Sequence, residues 1–90
     1  MTRIDKKLNV IGFNKVSEDK HGVSYERYDE KYKYTQCVDI LHKNSGKHIL
    51  QSYDKELFDT KKIGNTCVGL TGYETKLFLK KMKQMKLYSI

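Results

Sequence analysis

Across residues 10–53, hydrophobic and polar positions alternate, and a period of two predicts β-strands. The alternating segments are residues 10–17, 23–28, 32–43 and 47–53. The third segment is the longest and is rich in β-branched and aromatic residues, which favour strands. Short polar segments containing glycine, residues 20–22 and 44–46, follow the first and third strands. Because glycine readily adopts a positive φ, these segments predict hairpins and therefore an antiparallel meander.

The second hairpin predicts which residues of the third and fourth strands lie opposite each other. If His42 faces His48, then Ile40 faces Leu50, and Val38 lies on the same side of the sheet. The other side then carries Cys37, Leu41, Ile49 and Tyr53. A shift of one residue would exchange the two faces, so the identity of the core depends on this register. We expect the face with Val38, Ile40 and Leu50 to form the core.

The last third of the chain has a helical period. Thr71 and Glu74 form a capping box, in which each side chain accepts a hydrogen bond from the amide of the other residue. One helical face then carries Phe78, Met82 and Met85, flanked by Leu77 and Leu79, and the opposite face carries Lys76, Lys80 and Lys83. This pattern predicts an amphipathic helix over residues 72–87. Packed across one face of the meander, the helix completes an α+β fold.

The remaining segments have weaker patterns. Residues 1–9 are charged and predict either a short helix or a flexible tail. Leu57 and Phe58 are adjacent apolar residues in the polar segment 54–65, where they predict a short helical turn or an ordered loop. Residues 66–70 predict a short edge strand, so the sheet has four or five strands. With no proline, internal repeat or low-complexity segment, residues 1–90 form a single predicted domain.

Positive charge is concentrated at one end of the chain. Residues 61–90 contain seven lysines and one glutamate, a net charge of +6 out of a total of +7. A basic patch on one element is typical of contacts with nucleic-acid phosphates, and the candidate contacts are Lys76, Lys80, Lys83 and Lys86. The alternative is a solvated helix face, whose last lysines favour the negative end of the helix dipole. Because arginine is absent there, binding would be weakly sequence-specific.

Tyrosines are concentrated in residues 24–34, where they are interleaved with charged residues of both signs. Tyrosine and arginine are common anchors of protein interfaces, so Tyr25, Arg27, Tyr28 and Tyr34 are candidate contacts with a protein partner. Cross-strand aromatic packing would explain the same tyrosines. Stacking of unpaired bases is a third explanation, but the balanced charge of this segment provides no attraction for a polyanion.

Few residues suggest catalytic or metal chemistry. Cys37 and Cys67 lie too far apart in sequence for a zinc pattern and are expected to be reduced, half-buried thiols. His42 and His48 would lie near each other, but two nitrogens without a further ligand do not make a zinc site. Asp39 is expected to be hydrogen-bonded or solvated rather than to act as a general base. We expect no enzymatic activity, no bound metal and no cofactor.

The hydrophobic segments are all too short to form a transmembrane helix. Residues 1–7 carry charges without the apolar region of a secretory signal behind them. These observations predict a cytoplasmic protein with no membrane partner.

Three stretches carry a resemblance to a known group of proteins. They are Gly22-Val23-Ser24-Tyr25-Glu26-Arg27, Gly46-Lys47-His48-Ile49, and Val68-Gly69-Leu70-Thr71-Gly72-Tyr73-Glu74 before a helix ending in Met82-Lys83-Gln84-Met85. In this layout the chain resembles small uncharacterised proteins from prophages and mobile elements of Gram-positive bacteria. The resemblance implies a meander-plus-helix fold and a phage-related origin, and it implies no activity.

Two functions are consistent with the sequence. The first is a small non-enzymatic, phage-related accessory protein that binds an unknown protein partner through the tyrosines of the sheet face left uncovered by the helix. An uncovered sheet face also allows a homodimer. The alternative is a weakly sequence-specific nucleic-acid-binding protein that uses the lysine-rich C-terminal helix. Phosphate binding depends steeply on salt, so ionic strength separates the two functions.

Overall fold

The computed structural model describes residues 2–43, 47–59 and 67–88, with the side chains of residues 58–59 and 86–88 excepted. The elements in chain order are α1 (Arg3–Val10), β1 (Asn14–Asp19), β2 (Gly22–Asp29), β3 (Tyr34–His42), β4 (His48–Asp54), α2 (Lys55–Asp59) and α3 (Gly72–Tyr88). The strands form a four-stranded sheet in the order β1-β2-β3-β4, and every neighbouring pair is antiparallel. The predicted α+β fold, a meander with a C-terminal helix, is confirmed.

The beginning of the chain is helical, so of the two predicted alternatives the structure shows the helix. Thr2 caps α1, because its hydroxyl accepts a hydrogen bond from the amide of Asp5. The first strand begins at Asn14, four residues later than the predicted start at residue 10. The apolar residues that suggested the earlier start belong to α1 or directly follow it. Phe13, between α1 and β1, is buried in the core.

The turn predicted at residues 20–22 is confirmed, and Gly22 is essential to its geometry. Gly22 has φ +150°, and a Cβ atom there would lie 2.1 Å from the carbonyl oxygen of Ile40. A side chain at position 22 would therefore clash with the backbone of β3 and force β2 and β3 apart. The prediction for Asn44-Ser45-Gly46 falls outside the described residues.

The predicted register of β3 and β4 is confirmed. His42 pairs with His48, Ile40 with Leu50, and Val38 with Ser52. Val38 and Ile40 are fully buried, and Leu50 packs against the core. The core therefore lies on the sheet face that the sequence predicted.

Helices α1 and α3 both pack on this face, which we call the helix face of the sheet. The buried core residues are Leu8, Phe13, Val23, Tyr25, Val38, Ile40, Leu77, Phe78 and Met85. The ring of Phe78 lies at its centre, with centroid distances of 5.1 Å to Phe13 and 5.5 Å to Tyr25 in edge-to-face geometry. The predicted apolar face of α3 is therefore the buried one.

The connection between β4 and α3 matches its prediction only in part. Residues 55–59 form α2, the predicted short helical turn, which lies against β3 and β4. The prediction of an edge strand at residues 66–70 is wrong for residues 67–70, the part that the structure describes. These residues contain no strand, and Cys67 forms an isolated bridge with Tyr53. The Val68 amide donates to the Ser52 carbonyl, so this segment covers one end of the outer edge of β4.

A network of buried charges ties α1 to α3. The Asp5 carboxylate accepts hydrogen bonds from the hydroxyl of Tyr25 at 2.5 Å and from Lys15 and Lys81 at 3.1 and 3.4 Å. Lys81 also lies 2.8 Å from a carboxylate oxygen of Glu18. The side chains of Asp5 and Lys81 are each 2% exposed. A buried ion is tolerated only when it is paired, so the network depends on each of its members.

Acid is expected to destabilise the protein as the pH falls from about 5 to about 2. Burial alone would raise the pKa of Asp5, but hydrogen bonds from Tyr25 and Lys15 and the charge of Lys81 lower it from 3.8 to about 2. The unfolded chain, in which this carboxyl keeps its ordinary pKa, therefore binds protons first, and stability is lost as the pH falls. Denaturant midpoints measured between pH 7 and pH 2 test this. A midpoint that does not change across this range would contradict it.

Candidate nucleic-acid interface

Two reciprocal hydrogen bonds between Thr71 and Glu74 cap the start of α3. The Thr71 amide donates to the Glu74 carboxylate at 2.9 Å, and the Glu74 amide donates to the Thr71 hydroxyl at 3.2 Å. Arg27 of β2 forms an ion pair with Glu74 at 2.6 Å. The guanidinium also donates to Gln36 and to the carbonyl of Ile11. The cap stabilises the first turn of α3, and the ion pair joins that turn to β2.

The orientation of α3 about its own axis follows from its buried residues. Phe78 and Met85 lie in the core, and the helix turns by about 100° per residue, so residues about half a turn away must face solvent. Lys76, Lys80 and Lys83 occupy these positions and are all exposed. We call this side of α3, with Leu79 among the lysines, the lysine face.

The lysine face lines a shallow surface groove. Its lining residues are Leu70, Gly72, Thr75, Lys76, Leu79, Lys80 and Lys83. Leu79 is 46% exposed there. Lys86, the fourth candidate, lies in the last turn of α3, and its side chain is outside the described part of the structure.

The charges of the lysine face are not neutralised by the described residues around them. Lys15, Lys55 and Lys81 each form an ion pair with a carboxylate. In the part of the chain that the structure describes, no carboxylate lies within ion-pair distance of Lys76, Lys80 or Lys83. The face therefore presents three positive charges without a neighbouring carboxylate, and such a cluster attracts polyanions.

Lys81 differs from the other lysines of α3, and sequence analysis did not identify its role. Its position three residues after Phe78 and four before Met85 places it on the apolar face of the helix. That spacing is the signal that could have revealed it. Because its charge is satisfied internally by Asp5 and Glu18, Lys81 adds nothing to the lysine face.

The four candidate contacts for a protein partner do not form one surface. Tyr25 is fully buried in the core. Arg27 lies on the helix face beneath Glu74, with its guanidinium 4.1 Å from the centroid of the Phe13 ring. The complete burial of Tyr25 contradicts its prediction as an interface contact. Arg27 pairs with Glu74 inside the fold but its side chain is 28% exposed, so its contact with a partner stays a prediction. The alternation predicted from sequence was correct, but the side of the sheet that carries Tyr25 and Arg27 is the one that the helices cover.

Tyr28 and Tyr34 lie on opposite faces of the sheet. Tyr34 pairs with Asp29 and shares the helix face with Gln36, while Tyr28 pairs with Thr35 on the other side, which we call the distal face. Tyr28 is 57% exposed, and Tyr34 is half-buried. Of the four candidates, Tyr28 is the one that is exposed on the distal face and accessible to a partner.

The distal face contains a polar cluster around Asp39. The carboxylate accepts hydrogen bonds from Ser24, Gln51 and Tyr53 at 2.7, 3.1 and 2.8 Å. Each oxygen therefore has a donor, as expected for a structural carboxylate inside a sheet. This geometry agrees with the prediction that Asp39 is hydrogen-bonded.

The two cysteines have different environments. Burial, with the nearby carboxylate of Glu26, raises the pKa of the Cys37 thiol to about 11, so this group stays protonated near neutral pH and is a poor nucleophile. Cys67 is exposed. Both are free thiols, as predicted, but only Cys37 is buried.

The two cross-strand histidines lie in contact with each other. The ring centroids of His42 and His48 are 4.2 Å apart in edge-to-face geometry. Within residues 2–43, 47–59 and 67–88, no group of three histidine, cysteine or carboxylate side chains lies close enough to hold a metal ion. None of the helices in those ranges is both long enough and apolar enough to cross a membrane.

Among the described residues, the lysine face of α3 is therefore an arrangement suited to an anionic ligand, and the capping box, Arg27 and the core hold its helix in place. No family model, curated protein or solved structure matches the chain.

Proposed function

We propose that this chain is a small, weakly sequence-specific nucleic-acid-binding protein that holds phosphates on the lysine face of α3. One observation carries this proposal: Lys76, Lys80 and Lys83 are exposed along one groove without a carboxylate partner among the described residues. Of the two functions suggested by the sequence, the structure supports this one better, because one of the four residues of the proposed protein interface is buried and another pairs with Glu74 inside the fold.

The spacing of the three lysines suits a phosphate backbone. From Lys76 to Lys83 the helix rises roughly 10 Å, at about 1.5 Å per residue. One strand of B-form DNA carries a phosphate about every 3.4 Å along its axis, so three flexible side chains over this length can each reach a different phosphate. Lysine neutralises a phosphate as a point charge and does not read base edges in the bidentate manner of arginine. Affinity should therefore depend little on sequence.

Titration of labelled DNA and RNA at two salt concentrations tests the proposal. Three lysine–phosphate contacts predict a slope of log affinity against log salt of roughly −2 to −3. Between 50 and 200 mM salt the affinity should then fall roughly 16- to 64-fold. Absence of binding at 50 mM salt, or binding that does not respond to salt, would contradict the proposal.

A protein partner is the second candidate, and the exposed Tyr28 on the distal face is the observation that favours it. In this role the chain would be a non-enzymatic accessory protein of phage-related origin, and a second copy of the chain is one form that the partner could take. Tyr28→Ala should then weaken association with the partner while leaving the salt-dependent binding of nucleic acid unchanged.

A further inference from the structure

Tyr73 lies in the first turn of α3 and has 55% of its surface accessible. It follows Gly72 in the first turn, where the capping box uses Thr71 and Glu74 and not the tyrosine. Among the described residues its ring and hydroxyl contact no partner by hydrogen bonding or ring packing. More than half of this residue's surface is therefore open to a ligand.

Tyr73 lies beside the lysine face. Residues three apart on a helix are neighbours on its surface, so Tyr73 adjoins Lys76, and Lys80 lies one turn further along the same side. Leu79, 46% exposed, lies among the lysines. The helix surface next to the groove thus carries an aromatic residue, and the groove itself is lined by an exposed leucine.

We propose that the ligand of this surface is a single-stranded nucleic acid, with Tyr73 stacking on an unpaired base while Lys76, Lys80 and Lys83 hold the phosphates. This inference rests on the proposed function. A positively charged groove with aromatic side chains on which bases stack is the common arrangement in proteins that bind single strands without sequence preference. Leu79 packs against a second base or a sugar of the same strand.

A duplex would make fewer contacts with this surface than a single strand. Base pairing and stacking cover the faces of the bases in a duplex, so a helix lying against its backbone meets mainly phosphates and sugars. Tyr73 and Leu79 would then stay in water or contact charged groups. Flexible single strands can instead turn their bases toward both side chains, and this difference predicts a preference for single strands.

The test uses the full chain with a 15-nucleotide oligothymidine and a duplex of equal length, measured by fluorescence anisotropy at 50 and 200 mM salt. The wild-type protein should bind the single strand more tightly than the duplex. Tyr73→Ala should weaken single-strand binding roughly 5- to 150-fold, the range for loss of one stacked base, without changing the salt slope. Tyr73→Phe should retain most of the affinity, because phenylalanine keeps the ring.

A matched control is Tyr32→Ala, since Tyr32 is 69% exposed but lies in the connection between β2 and β3. This variant should bind like the wild type, and circular dichroism melts check that both alanine variants are folded. A 2-aminopurine base in the oligonucleotide should lose fluorescence on binding to the wild type and not on binding to Tyr73→Ala.

The outcomes separate this inference from the function on which it rests. Salt-dependent binding of duplex and single strand with equal affinity, unaffected by Tyr73→Ala, would overturn the inference and leave the function standing. Absence of binding to any nucleic acid would overturn both. If polyglutamate bound as tightly as oligothymidine, the partner would be an acidic polypeptide instead, and both proposals would be wrong.

Discussion

Replacing Asp5 by alanine is expected to lower the free energy of unfolding by about 3–5 kcal/mol, the usual cost of removing one partner from a buried ion pair. The Asp5 carboxylate accepts hydrogen bonds from Tyr25 and Lys81, and both of these side chains are almost completely buried. Without the carboxylate, a phenol and an ammonium group would remain desolvated with fewer partners. For a chain of this length the total stability is on the order of 5–13 kcal/mol, so the loss would be a large fraction of the total.

Urea denaturation of the purified variant measures this effect. Glu30→Ala is the matched control, because Glu30 is an exposed carboxylate in the turn that follows β2, and surface substitutions usually change stability by less than about 0.5 kcal/mol. Asp5→Asn should fall between the two, since the amide oxygen can still accept from Tyr25 while the charge opposite Lys81 is lost. A loss below about 1 kcal/mol in the alanine variant would show that Glu18 alone can satisfy Lys81.

Changing Lys76, Lys80 and Lys83 together to glutamine is expected to reduce nucleic-acid affinity roughly 100-fold or more at 50 mM salt. Each lysine that neutralises a phosphate releases a counterion, and that release is the main source of sequence-independent affinity. The slope of log affinity against log salt should approach zero in this variant. Stability should change little, because all three side chains are exposed.

The control for the triple variant removes the same charge elsewhere. Lys7, Lys20 and Lys43 are also exposed and lie away from α3 in the sequence, so their replacement by glutamine lowers the net charge equally. This control should keep most of the affinity and most of the salt slope. If both triple variants lost affinity to the same extent, the net charge of the protein would be the cause, and the lysine face would not be a binding surface.

The cap and the helical period of α3 were readable from the sequence because both depend on residues within a few positions of each other. Thr71 and Glu74 are three residues apart and form the predicted hydrogen bonds. The same period placed Phe78 inside and Lys80 outside, as observed. The lysine face was therefore predictable.

The tyrosines show where such local patterns fail. Alternation along β2 places Tyr25 and Tyr28 on opposite faces of the sheet, but it does not show which of them meets the helices. Two helices from the two ends of the chain cover the same sheet face, and α1 had no clear apolar pattern in the sequence. Tyr25 therefore became a core residue with its hydroxyl on Asp5, and Arg27 became a link to α3.

Local sequence was sufficient for the meander, the register of β3 with β4 and the exposed position of the lysines, because alternation, turns and helical period act over a few residues. The burial of Asp5 and Lys81 was settled only by the tertiary structure. Their carboxylate and ammonium groups are 76 residues apart in sequence. Each charge is tolerated in the interior because the folded chain brings oppositely charged groups to it, Lys15 and Lys81 to Asp5, and Asp5 and Glu18 to Lys81.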